Sequence, residues 1–84
     1  MNRFELLVDG EQRGLLDYQL RDEAIVFTHT EIDPAHRGNG LGSELARGAL
    51  NLVRAETDRR VVASCPFIAA WIEKNPAYAE LITR

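Results

Sequence analysis

Residues 32–43, from Ile32 to Ser43, read IDPAHRGNGLGS and join three local patterns. The stretch begins as the end of an apolar strand, turns through a proline and then enters a helical pattern that starts at Leu41. The first N–H groups of a helix lack internal partners, and the helix dipole adds roughly half a positive charge there. Glycines at 38, 40 and 42 permit positive φ angles and let a ligand approach the backbone closely. The stretch therefore predicts a pyrophosphate site at a helix N-terminus.

Two common phosphate-binding motifs do not fit this stretch. A P-loop needs a lysine directly after its glycines, and the chain's one lysine is Lys74. A dinucleotide fingerprint starting at Gly38 needs a third glycine at position 43, where the chain has Ser43. A further alternative is a glycine turn that only begins a helix.

The spacing instead resembles the acetyl-CoA signature of the GNAT acetyltransferase superfamily. That signature has an apolar strand residue, a proline, an arginine or glutamine, and two small residues at fixed intervals. Here these positions hold Ile32, Pro34, Arg37, Gly40 and Gly42.

Three further motifs narrow the resemblance to a small, single-domain GNAT-like family. They are His29-Thr30 before the loop, Ser64-Cys65 after the next apolar strand, and the tail Asn75-Pro76-Ala77-Tyr78. All occur in the order typical of that family, and the resemblance covers roughly residues 25–82. It implies an α+β fold in which a mixed four-stranded sheet carries a βαβ crossover helix and a C-terminal helix.

Length and composition are those of one small soluble domain, predicted over residues 1–84. Of the 84 residues, 45% are hydrophobic and 27% are charged, which are ordinary values for a globular protein. No apolar run has the length of a membrane span, and the first residues lack the apolar stretch of a signal peptide. The one cysteine, Cys65, excludes an internal disulfide. We therefore expect a cytoplasmic protein without membrane contact.

The charge distribution separates two halves of the chain. The net charge of −3 argues against a nucleic-acid partner. Residues 1–33 carry eight acids and three arginines, whereas residues 34–84 carry seven bases and five acids, so the net charges are −5 and +2. The positive half holds the proposed anion loop, as an acidic cofactor favours. The acidic half suits a cationic acceptor such as an amine, or is simply solvated surface.

One cysteine and two histidines show no metal-ligand spacing, so no metal site is expected.

Hydrophobic patterns predict three strands, a helix, a strand and a second helix. The strands are predicted at residues 4–8, 14–20 and 24–32, with a turn at Asp9-Gly10. A helix starting at Leu41 is followed by a strand at 60–64, and this crossover makes that strand parallel to the third. Pro66 begins the last helix, and Asn75-Pro76 ends it.

Two details of packing are also predicted. Strict alternation along the third strand places His29 on the same face as Ile25 and Phe27, with Thr30 and Ile32 on the other face. Gly48 costs helix stability, and close packing of the helix on the sheet is its expected compensation.

The resemblance also implies a site. The two parallel strands should splay apart, and the pantetheine arm of acetyl-CoA or coenzyme A should insert between them, paired with the backbone near Thr30. The expected cofactor-binding residues are Thr30, Glu31, Ile32, Arg37, Gly38, Asn39, Gly40, Leu41, Gly42 and Ser43.

The implied chemistry is acetyl transfer from acetyl-CoA to an amine on an acceptor that the sequence does not identify. Cys65 and His29 are the candidate catalytic residues. Cys65 should lie at the helix N-terminus, which favours a thiolate; alternatively it is a packing residue. Larger family members often have an asparagine just after the strand that corresponds to residues 60–64, and a tyrosine seven residues later. These positions hold Cys65 and Ile72 here, so the usual asparagine and tyrosine are absent from them. An acyl-CoA-binding or sensing module with little turnover is the alternative function.

Overall fold

Tight polar turns join the first three strands into an antiparallel meander. The computed structural model describes residues 2–36, 38 and 40–84. Strands β1 (Asn2–Val8) and β2 (Glu11–Arg21) are connected through Asp9 and Gly10. Both turn residues have positive φ, 53° and 82°, as a two-residue hairpin turn of the mirror-image type requires. Strand β3 (Ala24–Ile32) pairs with β2. The three predicted strands are confirmed, although β1 and β2 are longer than their apolar patterns.

A helix connects β3 to a short parallel strand. Helix α1 (Leu41–Glu56) crosses over to β4 (Arg60–Ala63), which pairs in parallel with β3 at the far edge of the sheet. The strand order is β1-β2-β3-β4. Helix α2 (Pro66–Lys74) and a 3₁₀ helix (Pro76–Leu81) complete the fold. The predicted α+β architecture, a mixed four-stranded sheet with a crossover helix, is confirmed.

Both helices bury their apolar sides in one core against the sheet. The core joins Leu16 and Phe27 from the strands to Leu50 from α1 and Ile68 from α2, all of them fully buried. Trp71 also belongs to the core and is only 6% exposed. Its indole Nε1–H donates a hydrogen bond of 2.8 Å to Ser43 Oγ, which ties α2 to the first turn of α1.

A β-bulge in β3 overturns the predicted assignment of its faces. Asp17 is paired with His29, but the next residue of β2, Tyr18, is paired with Phe27, so Thr28 has no partner. Neighbouring residues of β2 point to opposite faces, and therefore His29 and Phe27 do so as well. The prediction that His29 shares a face with Ile25 and Phe27 is wrong, because strict alternation ignores this extra residue.

Beyond the bulge, the side chains of β3 that face the helices are not those that regular alternation from Phe27 predicts. Thr30 pairs with Leu16 and Ile32 pairs with Gly14. Leu16 is in the core, so Thr30 and Ile32 lie on the helix-covered face. His29 and Glu31 lie on the opposite face, which we call the open face of the sheet.

The packing role predicted for Gly48 is also wrong. Gly48 is exposed, and an added Cβ there meets no heavy atom within 4 Å. This glycine faces solvent instead of the sheet, so nothing in its packing requires the absence of a side chain.

None of the helices in the described part of the chain has the length and apolar character needed to cross a membrane.

Candidate functional site

A cleft opens where β3 continues beyond its parallel partner. Pairing between the two strands ends at Phe27 and Ala63, and one further bond follows, from the Cys65 N–H to the Phe27 carbonyl at 2.9 Å. From Thr28 to Ile32, β3 has no partner in β4. The resulting cleft has a volume of about 490 Å³, within the range of small-molecule sites. It is lined by His29, Thr30, Glu31, Ile32, His36, Gly38, Gly40, Leu41, Gly42 and Phe67.

Two glycines with positive φ lead the chain into the N-terminus of α1. Gly38 has a φ of 87° and Gly40 a φ of 76°. Gly40 is the N-cap residue of α1 and contributes no side-chain cap. The first N–H groups of the helix are therefore available to a ligand, at the end where the helix dipole is positive. A Cβ at Gly38 or Gly40 meets no heavy atom within 4 Å, so both face open space.

Gly42 and Phe67 form a close contact beside the cleft. A Cβ added to Gly42 would lie 2.9 Å from Phe67 Cζ, closer than real side chains approach. Only glycine therefore lets the aromatic ring rest on the first turn of α1. Phe67 remains 40% exposed and lines the cleft.

Phe67 is the cleft residue that the sequence reasoning missed, because its spacing fits the apolar pattern of α2. Its position gave a usable signal. It follows Cys65-Pro66 at the carboxyl end of β4, the end of a parallel strand where ligands bind.

Most of the predicted cofactor-binding residues are brought together here. Those that line the cleft are Thr30, Glu31, Ile32, Gly38, Gly40, Leu41 and Gly42. Ser43 lies next to them, but its hydroxyl accepts the hydrogen bond from Trp71. Arg37 and Asn39 lie outside the described residues.

Cys65 lies behind the cleft wall. It is the N-cap residue of α2, as predicted, but its side chain makes no cap hydrogen bond. Cys65 is 4% exposed and is absent from the cleft lining. Its Sγ is 3.2 Å from Thr30 Oγ1, a hydrogen bond that joins β3 to the start of α2 just beyond the last strand pairing.

His29 and Glu31 place titratable side chains on the open face, beside the cleft. His29 Nε2 is 3.6 Å from Glu31 Oε1, and the two side chains are 57% and 63% exposed. Both residues also line the cleft. The imidazole is thus accessible to a molecule that approaches from the open face.

Asp33 begins the loop between β3 and α1 and carries the clearest electrostatic perturbation near the site. The pKa of its carboxyl is lowered from the usual 3.8, first because Oδ1 accepts the Ala35 N–H and then because Arg13 donates to Oδ2. The carboxylate is therefore ionised at any physiological pH.

Within residues 2–36, 38 and 40–84, no three His, Cys, Asp or Glu side chains are grouped as a metal site requires.

Comparison with known proteins identifies the family. A family model described as GCN5-related N-acetyl-transferase matches residues 3–81. The chain belongs to the GCN5-related N-acetyltransferases. The match includes β3, α1, β4 and α2, the elements around the cleft.

Several individual relatives share the name Protein NATD1. The acetyltransferase chain is 34% identical to Protein NATD1 of Bos taurus over 76 residues, which are 88% of this chain and 66% of the relative. Protein NATD1 of Mus musculus and of Homo sapiens are each 33% identical over 76 residues, 88% of this chain and 68% and 66% of theirs. The chain therefore spans about two thirds of the length of these curated relatives.

Proposed function

We propose that this chain binds acetyl-CoA in the cleft between β3 and α2 and transfers its acetyl group to an amine. The observation that carries the proposal is the free edge of β3 from Thr28 to Ile32, which leads directly to a glycine-rich helix N-terminus. Backbone groups on a strand edge suit the amides of a pantetheine arm, and a helix N-terminus suits a pyrophosphate. Membership in the acetyltransferase family supports this reading, since the family generally uses acetyl-CoA.

The described residues fit the shape and charge of this ligand. Gly38 and Gly40 leave the space above the loop free of side-chain atoms. Phe67 supplies an apolar wall opposite the free edge of β3. The pyrophosphate would bind to the N–H groups of Leu41 and Gly42, where each oriented interaction contributes about 0.3–1 kcal/mol.

In this proposal His29 and Glu31, beside the cleft, have separate roles in acetyl transfer. Acetyl-CoA would supply the thioester: an uncharged amine would attack its carbonyl, an amide bond would form as the C–S bond breaks, and coenzyme A would leave as a thiolate that takes up the proton released by the amine. His29 accepts the proton that the amine must lose, a role that histidine performs in many enzymes. Glu31 lies 3.6 Å from its imidazole and stabilises the charge that the ring then gains.

The amine reaches the cleft from the open face of the sheet. His29 and Glu31 project to that side, and Asp17 is the partner of His29 in the neighbouring strand. The exposed Glu31 carboxylate attracts a cationic acceptor, which agrees with the net charge of −5 over residues 1–33, whereas Asp17 is buried and already paired with Arg3 at 3.1 Å.

Calorimetry with acetyl-CoA tests the binding step. Replacing Gly40 with valine puts a branched side chain at a φ of 76° and into the space above the loop. We expect the dissociation constant to rise by about tenfold or more, since the loss of two or three anion contacts amounts to roughly 1–3 kcal/mol. Gly48→Ala, in the same helix but exposed and away from the cleft, is the matched control. Wild-type protein that does not bind acetyl-CoA would refute the proposal.

Release of free coenzyme A in the presence of small primary amines and amine-bearing peptides tests the transfer step. His29→Gln should reduce this rate by about 100-fold or more if the imidazole is the base. Unchanged turnover in this variant would remove His29 from the mechanism, as full activity of Cys65→Ala would remove Cys65.

A second function, an acyl-CoA-binding or sensing module, is favoured by one observation. The Cys65 thiol is buried and bonded to Thr30, so it is not presented to the cleft. Tight binding of acetyl-CoA without release of coenzyme A over a broad panel of amines would support this module and refute acetyl transfer.

A further inference from the structure

Asp33 uses its backbone and its side chain to fix the start of the loop that leads to α1. Its N–H donates to the Arg13 carbonyl at 2.7 Å, and its own carbonyl accepts the His36 N–H at 2.8 Å. Its Oδ1 accepts the Ala35 N–H at 2.9 Å. Its Oδ2 accepts Arg13 Nη1 at 2.8 Å. One residue thus shapes the 3₁₀ turn (Pro34–His36) and attaches that turn to β2.

Arg13 is well placed for this attachment because it occupies an irregularity of its strand. The register between β1 and β2 shifts between Leu6 and Leu7, which leaves Arg13 without a partner in β1. Its guanidinium also pairs with Glu11 through Nη2, so two carboxylates hold it from two sides. A bulge residue commonly redirects a side chain at the edge of a functional site.

Among the described loop residues 34–36, 38 and 40, no other hydrogen bond to a strand is present before the helix begins. Gly38 and Gly40 adopt positive φ angles, and glycine is the residue with the greatest freedom to leave such conformations. The direction in which the loop leaves β3 is therefore set at Asp33. His36, whose Nδ1 lies 3.9 Å from Asp33 Oδ2, is carried into the cleft lining by the same turn.

We propose that Asp33 and Arg13 are positioning residues that hold the loop in the conformation that accepts the phosphates of acetyl-CoA. This inference rests on the proposed function, and it adds residues that do not contact the ligand. Without the ion pair, a smaller fraction of the free protein has a loop competent to bind. The apparent dissociation constant rises in inverse proportion to that fraction.

Four substitutions, two at Asp33 and two at Arg13, separate the contributions of this arrangement. Asp33→Asn keeps an oxygen for the Ala35 N–H but loses the charge that binds Arg13. We expect acetyl-CoA to bind about threefold more weakly, the scale of a half-exposed ion pair. Asp33→Ala also loses the bond to Ala35, and we expect about a tenfold loss. Arg13→Gln should match Asp33→Asn, whereas Arg13→Lys retains a cation and should restore part of the affinity.

Matched controls and a double substitution distinguish positioning from a general effect of charge or stability. Asp22→Asn, in the turn between β2 and β3, and Arg21→Gln, at the last residue of β2, remove equal charges and should leave the affinity unchanged. Arg13→Gln combined with Asp33→Asn should bind no more weakly than either single variant, because the two side chains act as one pair.

Amide hydrogen exchange gives a reading that does not depend on the ligand. In Asp33→Asn and Arg13→Gln, exchange should accelerate at Ala35, His36 and the first turn of α1, while Phe27 in the centre of the sheet remains protected. Equal affinities in the variants and wild type, or unchanged exchange in the loop, would overturn the inference while the proposed function stands. Failure of the wild type to bind acetyl-CoA would overturn both, and calorimetry alone reveals it.

Discussion

Replacing Gly40 with alanine should destabilise the protein through backbone conformation alone. Gly40 has φ 76° and ψ 9°, the left-handed helical region, and a Cβ there meets no heavy atom within 4 Å. No collision contributes, so the cost is that of a non-glycine residue in this region, roughly 1–2 kcal/mol. Alanine also reduces the freedom of the unfolded chain, which offsets about 0.4–1 kcal/mol. We expect a net loss of about 1 kcal/mol in the free energy of unfolding, or roughly 4–8 °C in melting temperature.

Gly48 provides a control within the same helix. It is exposed and inside α1, and a Cβ there also meets nothing. Because alanine is a better helix former than glycine, Gly48→Ala should raise the free energy of unfolding by about 0.5–1 kcal/mol. The same chemical change at two positions of one helix should thus have opposite signs.

Urea unfolding followed by the fluorescence of Trp71 measures both variants. Trp71 is the chain's one tryptophan and is buried in the core, so its emission should report the loss of packing. Gly40→Asn should fall between wild type and Gly40→Ala, because asparagine tolerates the left-handed region better than alanine. A Gly40→Ala protein as stable as wild type would refute the claim that positive φ at the N-cap makes glycine necessary.

Two further predictions concern the cleft and its loop. Gly42→Ala should weaken acetyl-CoA binding, because its Cβ would lie 2.9 Å from Phe67 Cζ and would displace the ring that lines the cleft. Calorimetry measures this, and a Gly42→Ala protein with unchanged affinity would contradict a role for the contact in the cleft. The pKa of Asp33 is lowered on folding. The contribution of its carboxylate to the free energy of unfolding is therefore complete above pH 3.8 and is lost as the pH falls through the lower folded-state pKa. Urea unfolding between pH 2 and 5 should therefore show a weaker dependence on pH in Asp33→Asn than in wild type, and parallel curves would contradict this.

The sequence was sufficient for the order of elements and for the position of the glycine-rich loop before α1. The bounds of β3 and the start of α1 at Leu41 were predicted correctly. Apolar periodicity changes from two to 3.6 residues across the glycine-rich stretch, and Pro34 and the glycines mark the boundary. Local chemistry of this kind needs no knowledge of distant contacts.

Features that depend on distant parts of the chain could not be predicted in this way. The bulge at Thr28 is defined by pairing with Asp17 and Tyr18 on another strand, and an alternating pattern looks the same with or without it. The burial of Cys65 depends on Thr30 and on the helix that follows. Phe67 fits a core pattern, yet it covers Gly42 at the edge of the cleft. The ion pair of Arg13 with Asp33 joins residues twenty positions apart.

The extra residue in β3 has a consequence for how such a protein can evolve. Before the bulge, Ile25 and Phe27 are constrained by the core; after it, His29 and Glu31 project into solvent on the open face. Substitutions at these two exposed positions change the surface of the open face without repacking the interior. Deletion of Thr28 would join Phe27 directly to His29, and regular alternation would then keep His29 and Glu31 on the open face and Thr30 and Ile32 beneath the helices. The strand therefore tolerates exchange at these exposed positions as well as the loss of the residue that has no partner in β2.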